Sequence, residues 1–409
     1  MHEEPLIKGP AALRRRLGLP LLVLYGTGIT IGAGIYVLIG AVAGHAGAYA
    51  PWSFVLAAVV MAFTVASYTE LSTRFPVSAG EAVYVRAAFQ SSLLSTLTGL
   101  LTVAIGVVSS SAVALGSVGY IQQFVDLPQG VIVVAVVALL GAVAAWGILE
   151  SVVLAGVFTI IEVGGLLAII VLAAYGGLPI VSALAQPLPV DFGVLSGIAL
   201  GSLLAFFAFV GFEDLANVVE EAKAPRRDIP RAMVLTLVIS TVLYVAVAAV
   251  AINAVPIASL ASSPAPLSLV FRQVAGVSPA TISAIAIVAT LNTILAQMTM
   301  AARVIYGMAQ QGDLPGFLGR VHPRTATPLI ATALIAAMVI VLALMLPFER
   351  LAEGTSVATL VVFAMVNLAL LRLRYRGVKS SRPHVAVPVW VPVGGLATCV
   401  AMIATSLLG

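Results

Sequence analysis

Gly26-Thr27-Gly28-Ile29-Thr30-Ile31-Gly32-Ala33-Gly34-Ile35-Tyr36 lies inside an apolar run from about Leu17 to Ala43. The run is long enough to cross a bilayer. Four glycines within nine positions make a poor continuous helix, since each costs about 1 kcal/mol relative to alanine. In lipid, a broken helix survives only where its freed backbone groups are buried in protein or line a cavity. The stretch therefore predicts either a break facing a ligand cavity or a set of small residues that let another helix pack closely.

Working outward, the chain is built for the membrane. It has 409 residues, 61% of them hydrophobic and 9% charged, against about 25% charged in soluble domains. Eleven apolar spans are expected, near Leu17–Ala43, Trp52–Phe75, Leu93–Tyr120, Val131–Gly147, Val152–Tyr175, Val194–Val219, Met233–Ala254, Pro279–Gln310, Thr327–Leu346, Gly354–Leu373 and Val385–Leu408. Arg14-Arg15-Arg16 before the first run and Ala41-Val42-Ala43 within it imitate a signal peptide, but the run is too long and too rich in glycine for an h-region.

The basic residues test this count. Of the 20 Lys and Arg, all but Arg272, Arg303 and Arg350 fall in the N-terminal tail or in alternate loops. That asymmetry places the N-terminus and the even-to-odd loops in the cytoplasm. The single cysteine, Cys399, excludes an internal disulfide or cysteine metal site. The net charge of +4 is too small for a nucleic-acid binder, and His2, His45, His322 and His384 form no ligand pattern.

A second interrupted span runs from Gly197 to Asp214, with Glu213, Asp214, Asn217, Glu220 and Glu221 at its end. An acid at the centre of a lipid-facing helix costs about 2.5–3.5 kcal/mol. The span is expected to break near Phe207–Gly211 and to line an interior, unless Glu213 and Asp214 lie just past the membrane boundary. Five spans separate the two breaks, so the second unit enters with inverted orientation. Breaks at matching positions of two inverted halves mark a ligand site at their interface. The two repeats are then about 17–176 and 194–373, with an extra helix at about 385–408, in a single transmembrane unit over 1–409.

Gly28 to Tyr36 resembles the first-helix signature of the amino acid–polyamine–organocation superfamily. Arg74-Phe75-Pro76-Val77-Ser78-Ala79-Gly80-Glu81-Ala82-Val83-Tyr84-Val85 resembles its first cytoplasmic loop. Further similarity runs through Phe206–Glu213 with Glu220–Ala232, through Ala302–Pro315, and through His322-Pro323-Arg324 with Thr327-Pro328. The resemblance implies an all-α polytopic fold of the leucine-transporter type, a 5+5 inverted repeat with broken helices 1 and 6. It also implies amino acid transport by alternating access. The chain departs from the family by stopping after eleven spans where many members have twelve.

The resemblance places the substrate carboxylate on the amides of Gly32, Ala33 and Gly34, where a half-helix N-terminus favours an anion. It places the substrate ammonium at the carbonyls of Thr30, Phe207 and Val210. Ile31, Phe206 and Gly211 complete the expected pocket, and Phe207 with Glu213 is the expected gate. For the three phenylalanines Phe206, Phe207 and Phe209, ordinary helix packing is the alternative. Ser109, Ser110, Ser111, Asn292, Thr293, Gln297 and Ser356 are candidates for side-chain selectivity or for helix–helix hydrogen bonds. Glu162 stands in span five where many relatives carry lysine. A buried Glu takes up a proton near neutral pH, so Glu162 is the expected proton-coupling residue, with cation binding or a structural bond as alternatives. No metal and no cofactor are expected, the coupling ion being a proton.

The expected function is proton-coupled symport of a neutral amino acid across the cytoplasmic membrane. The alternatives are an exchanger, or a transporter of polyamines or organic amines, which would use extra acids such as Glu213. The partners are the substrate and the bilayer, not nucleic acid. A channel needs a continuous polar path, and an enzyme a catalytic constellation; neither stands out.

Overall fold

The structure, a computed structural model, describes residues 17–75, 80–146, 152–181, 185, 187, 191–325, 327–378 and 384–408. Lys8, Arg14–Arg16, Pro76–Ala79, Lys379 and Arg382, which entered the charge and motif arguments, lie outside them. The described chain is an all-α polytopic membrane protein. Among the described residues, nine helical stretches are long and apolar enough to cross a membrane, Gly34–Arg74 counting as one, and two shorter apolar helices, Leu19–Ile31 and Leu329–Met345, join them.

The first expected span is two helices, α1 (Leu19–Ile31) and α2 (Gly34–Ala46). Then follow α3 (Ala50–Arg74), α4 (Gly80–Phe89), α5 (Ser92–Ile121), α6 (Gln129–Trp146) and α7 (Val152–Tyr175). The sixth span is α8 (Phe192–Phe207) followed by two 3-10 turns, Phe212–Ala216 and Val219–Glu221. Its second half is therefore not a continuation of the α-helix, because Gly211 leaves with φ +124°, a backbone that glycine adopts at no steric cost. The rest comprises α9 (Pro225–Ala254), the short α10 (Ile257–Ala261) and α11 (Pro266–Ala275), α12 (Ala280–Gln310), α13 (Leu329–Met345), α14 (Phe348–Tyr375) and α15 (Trp390–Leu408). Helix starts carry expected signals, such as the Asp191 carboxylate accepting from Gly193 and Val194 N–H, and prolines in the first turns of α1, α3, α9 and α11.

Helix neighbours come in matched sets. α5 packs on α12, α3 on α9, α2 on α8 and α6 on α13. The contact of α1 with α9 is mirrored by α8 with α3, and that of α1 with α7 by α8 with α14. α4 lies on α5 and α14 as α11 lies on α12 and α7. Outside these sets, α15 packs on α14 and α3.

Polar anchors fix α14 and α15 to α3. Asn367 donates to Thr64 Oγ1 (3.0 Å) and accepts from Ser67 Oγ (2.6 Å). At the C-terminal end of α14, Arg374 pairs with the buried Glu70 carboxylate, which also accepts from Val387 N–H (2.9 Å).

Candidate functional site: two crossed breaks above an acid-lined cavity

The glycine stretch serves both roles that its sequence allows. Gly26 and Gly28 stay helical and act by closeness: a Cβ on Gly28 would meet Thr159 Oγ1 of α7 at 1.9 Å, and one on Gly26 would meet Thr236 Oγ1 of α9 at 2.6 Å. The chain leaves the helix only at Gly32–Ala33. There the Gly32 N–H donates to Gly28 O (3.0 Å), and the Ala33 N–H donates to Thr293 Oγ1 of α12 (3.1 Å).

The two breaks cross in contact. A Cβ on Gly34 would lie 2.6 Å from Ala208 Cα, and one on Gly211 would lie 2.5 Å from Ile29 Cγ2. Tyr244 of α9 straps them together: its hydroxyl is 2.7 Å from both Thr30 O and Ala208 O, with one proton to share. Ring contacts with Phe54 and Phe209 hold Tyr244 in place.

The structure thus brings Thr30, Ile31, Gly32, Ala33 and Gly34 against Phe206, Phe207, Val210 and Gly211, all buried except the half-buried Gly34. Of the carbonyls expected for the ammonium, Thr30 O accepts from Tyr244 and Phe207 O from Val210 N–H (3.1 Å). Phe206 stacks edge-on with Phe363 of α14. Glu213 is half-buried and its carboxylate accepts from Gly211 N–H (2.8 Å), which folds it back onto the second break.

Glu162 is fully buried on α7, and its backbone carbonyl accepts from the Tyr36 hydroxyl (2.7 Å). Tyr120 in turn donates to Tyr36 O. Glu162 therefore sits beside α2, one turn along α7 from Thr159, but not on the open cavity. Ser111 and Ser356 make interhelical bonds, to Val339 O and Leu203 O, rather than facing a ligand.

Below the breaks lies a cavity of about 570 Å³. Gly28, Ile29 and Thr293 form its inner end, and Glu221, Gln311 and Asp313 lie toward its mouth, on the side of the loops after α8 and α12. The opposite side is closed. Gly119 on α5 faces Pro264 so closely that a Cβ would lie 2.1 Å from the Pro264 oxygen, and Gly40 on α2 faces Leu260 O. The acids lining the cavity are Glu81, Asp214, Glu221 and Asp313, and the cation is Arg303.

Sequence reasoning placed Glu81 in a loop motif and Asp214 beside Glu213 without assigning either to the cavity. It quoted Tyr36 within the first stretch but gave no role to it, Tyr120 or Tyr244. Their signal was there: a buried tyrosine within a span needs a partner for its hydroxyl. Which carbonyl it finds is a tertiary matter. No cluster of three or more metal-ligating side chains occurs among the described residues.

A family profile described as amino acid permease matches residues 17–408. The chain belongs to the amino acid permease family. It is a transporter, not an enzyme. It is 31% identical to a branched-chain amino acid permease of Bacillus subtilis over 90% of this chain and 82% of that protein. It is 32% identical to a vacuolar cationic amino acid transporter of Arabidopsis thaliana over 90% of this chain, which spans 64% of that protein. A methylthioribose transporter of Bacillus subtilis is 30% identical over 95% of this chain and 87% of that protein.

Proposed function

We propose that this permease is a secondary active transporter that moves an amino acid with a proton by alternating access. It would sit in the cytoplasmic membrane with the N-terminus inside. The observation that carries the proposal is the crossing of the two half-helix breaks, with the Ala33 N–H held by a threonine hydroxyl. A hydroxyl oxygen at that amide stands where one oxygen of a substrate carboxylate would bind, so substrate entry exchanges one acceptor for a stronger, charged one. The matched helix contacts support two inverted repeats, about 17–176 and 194–373, with α15 added outside them. By the distribution of basic residues, the open cavity faces the cytoplasm.

Main-chain recognition reads groups common to all amino acids and suits a neutral substrate. A second form, a substrate carrying a positive charge, is favoured by the acids along the cavity. In both forms Glu162 is the proton-coupling residue: it is buried beside the first break, on a helix that packs against α1 and α9. Phe207 and Glu213 would close over the occupied site.

The test is uptake of radiolabelled amino acids into sodium-free proteoliposomes, with and without an inward proton gradient. Gradient-stimulated uptake that is lost in Glu162→Gln is the expected result. Uptake that requires a preloaded lumen would make the protein an exchanger, and stimulation unchanged in Glu162→Gln would remove that residue from the coupling.

A further inference from the structure

A small niche of about 20 Å³ opens beside the main cavity. Glu81, Thr102, Asp214, Asn217, Gln297 and Met300 border both. Its remaining wall includes Glu213, Thr359 and Phe363. A space of about 10–15 Å³ on this measure admits one water-sized group, so the niche holds a single such group and no more.

The lining is rich in acceptors. Three carboxylates meet there, from α4 (Glu81) and from the turn after α8 (Glu213 and Asp214). Each already accepts at least one hydrogen bond: Glu81 from the Tyr68 hydroxyl (2.8 Å), Glu213 from Gly211 N–H, and Asp214 from Asn217 Nδ2 (3.2 Å). Independently of the acids, Gln297 of α12 is only 6% exposed and its Oε1 has no hydrogen-bond partner. A buried carbonyl left unpaired costs about 1–3 kcal/mol, and this one borders the niche. Phe363 adds an aromatic wall, of the kind that attracts a desolvated ammonium.

We infer that this niche binds a primary ammonium group, the charged end of an extended substrate, while the substrate's other end lies at the first break. The geometry fits a side chain of defined length. Thr293, which holds the Ala33 N–H, and Gln297 are one turn apart on α12, about 6 Å. That is the scale of the four-carbon stem of lysine, whose ammonium is a compact point charge. A planar guanidinium is too large for the niche. The same ammonium could arrive on a cationic amino acid or on a free alkylamine. The amino acid source rests on the transport reading above; the niche itself does not.

Calorimetric titration of the full chain in detergent with L-lysine, L-norleucine, L-arginine and 1-aminopentane separates the cases. Lysine is expected to bind at least tenfold tighter than norleucine, its uncharged counterpart, and at least tenfold tighter than arginine. In Gln297→Leu, the ratio of the norleucine Kd to the lysine Kd is expected to fall to within threefold. These results on the unmodified chain stand even where the variant fails to fold. If 1-aminopentane binds as tightly as lysine, the niche stands and the amino acid source fails. If lysine and norleucine bind equally, or arginine matches lysine, the niche is refuted while the amino acid reading survives. If none of the four binds, the niche is refuted, and the amino acid reading is decided by the uptake assay above.

Discussion

Adding one methyl group to Gly34 tests the crossing of the two breaks. A Cβ there would lie 2.6 Å from Ala208 Cα and 2.9 Å from Ala208 Cβ, where carbons rest about 3.5–4.0 Å apart. The obstacle is backbone, so no rotamer change relieves it, and the two breaks must separate by about 1 Å. Such overpacking costs about 1–3 kcal/mol. The helix propensity gained by alanine returns less than about 1 kcal/mol of this. With that strain falling on the occupied state, 1–3 kcal/mol corresponds to roughly 5- to 150-fold weaker substrate binding. Gly34→Ala is therefore expected to lower uptake into proteoliposomes at least about fivefold at equal amounts of folded protein. Gly164→Ala on α7, where a Cβ meets nothing within 4 Å, is expected to transport like the unmodified chain. Gly34→Ala transporting at the unmodified rate would refute the contact between the breaks and with it the site built on them.

Tyr244→Phe removes the strap between Thr30 O and Ala208 O; leaving a buried carbonyl unpaired costs about 1–3 kcal/mol, read as a lower melting temperature together with weaker substrate binding. Arg374→Met removes the hydrogen-bonded cation from the buried Glu70 carboxylate, which keeps Arg74 at 3.7 Å and the Val387 N–H, and is expected to cost less than the roughly 3–5 kcal/mol of a fully uncompensated buried charge. Thermal unfolding should show part of that loss recovered in the double variant Glu70→Leu/Arg374→Met, and no loss in the single variant would refute the anchor. Burial holds the Glu81 carboxyl above its ordinary value of 4.5, against the lowering effect of its hydrogen bonds, including the one from Tyr68. The folded chain thus keeps a proton that the unfolded chain releases, so Glu81 weakens the fold progressively as pH rises above 4.5. Glu81→Gln is expected to melt higher than the unmodified chain at pH 7.5, with the difference closing as the pH falls to 4.5; a pH-independent difference would count against the buried carboxyl.

Much of this permease was legible in its residues. Apolar length marks the spans, because lipid leaves no other partner for backbone polar groups. The breaks in spans one and six were readable from Gly32 and Gly34 and from the acids that follow Phe212. Local chemistry decides such features: a glycine or a charged pair within an apolar run has few acceptable placements.

The tertiary structure decided which of the four glycines in the first stretch break the helix and which only admit a neighbour. Gly28 and Gly32 are alike in sequence, but Gly28 faces Thr159 across a helix interface, while Gly32 lies beside Thr293 where the chain turns. It also decided that Glu81, from a loop, shares a niche with Asp214 and Gln297, which lie far from it in the chain. The physical reason is that hydrogen bonding and charge act over a few ångströms of space. The sequence states which groups are available, and only the packing of helices distant in sequence states which of them meet.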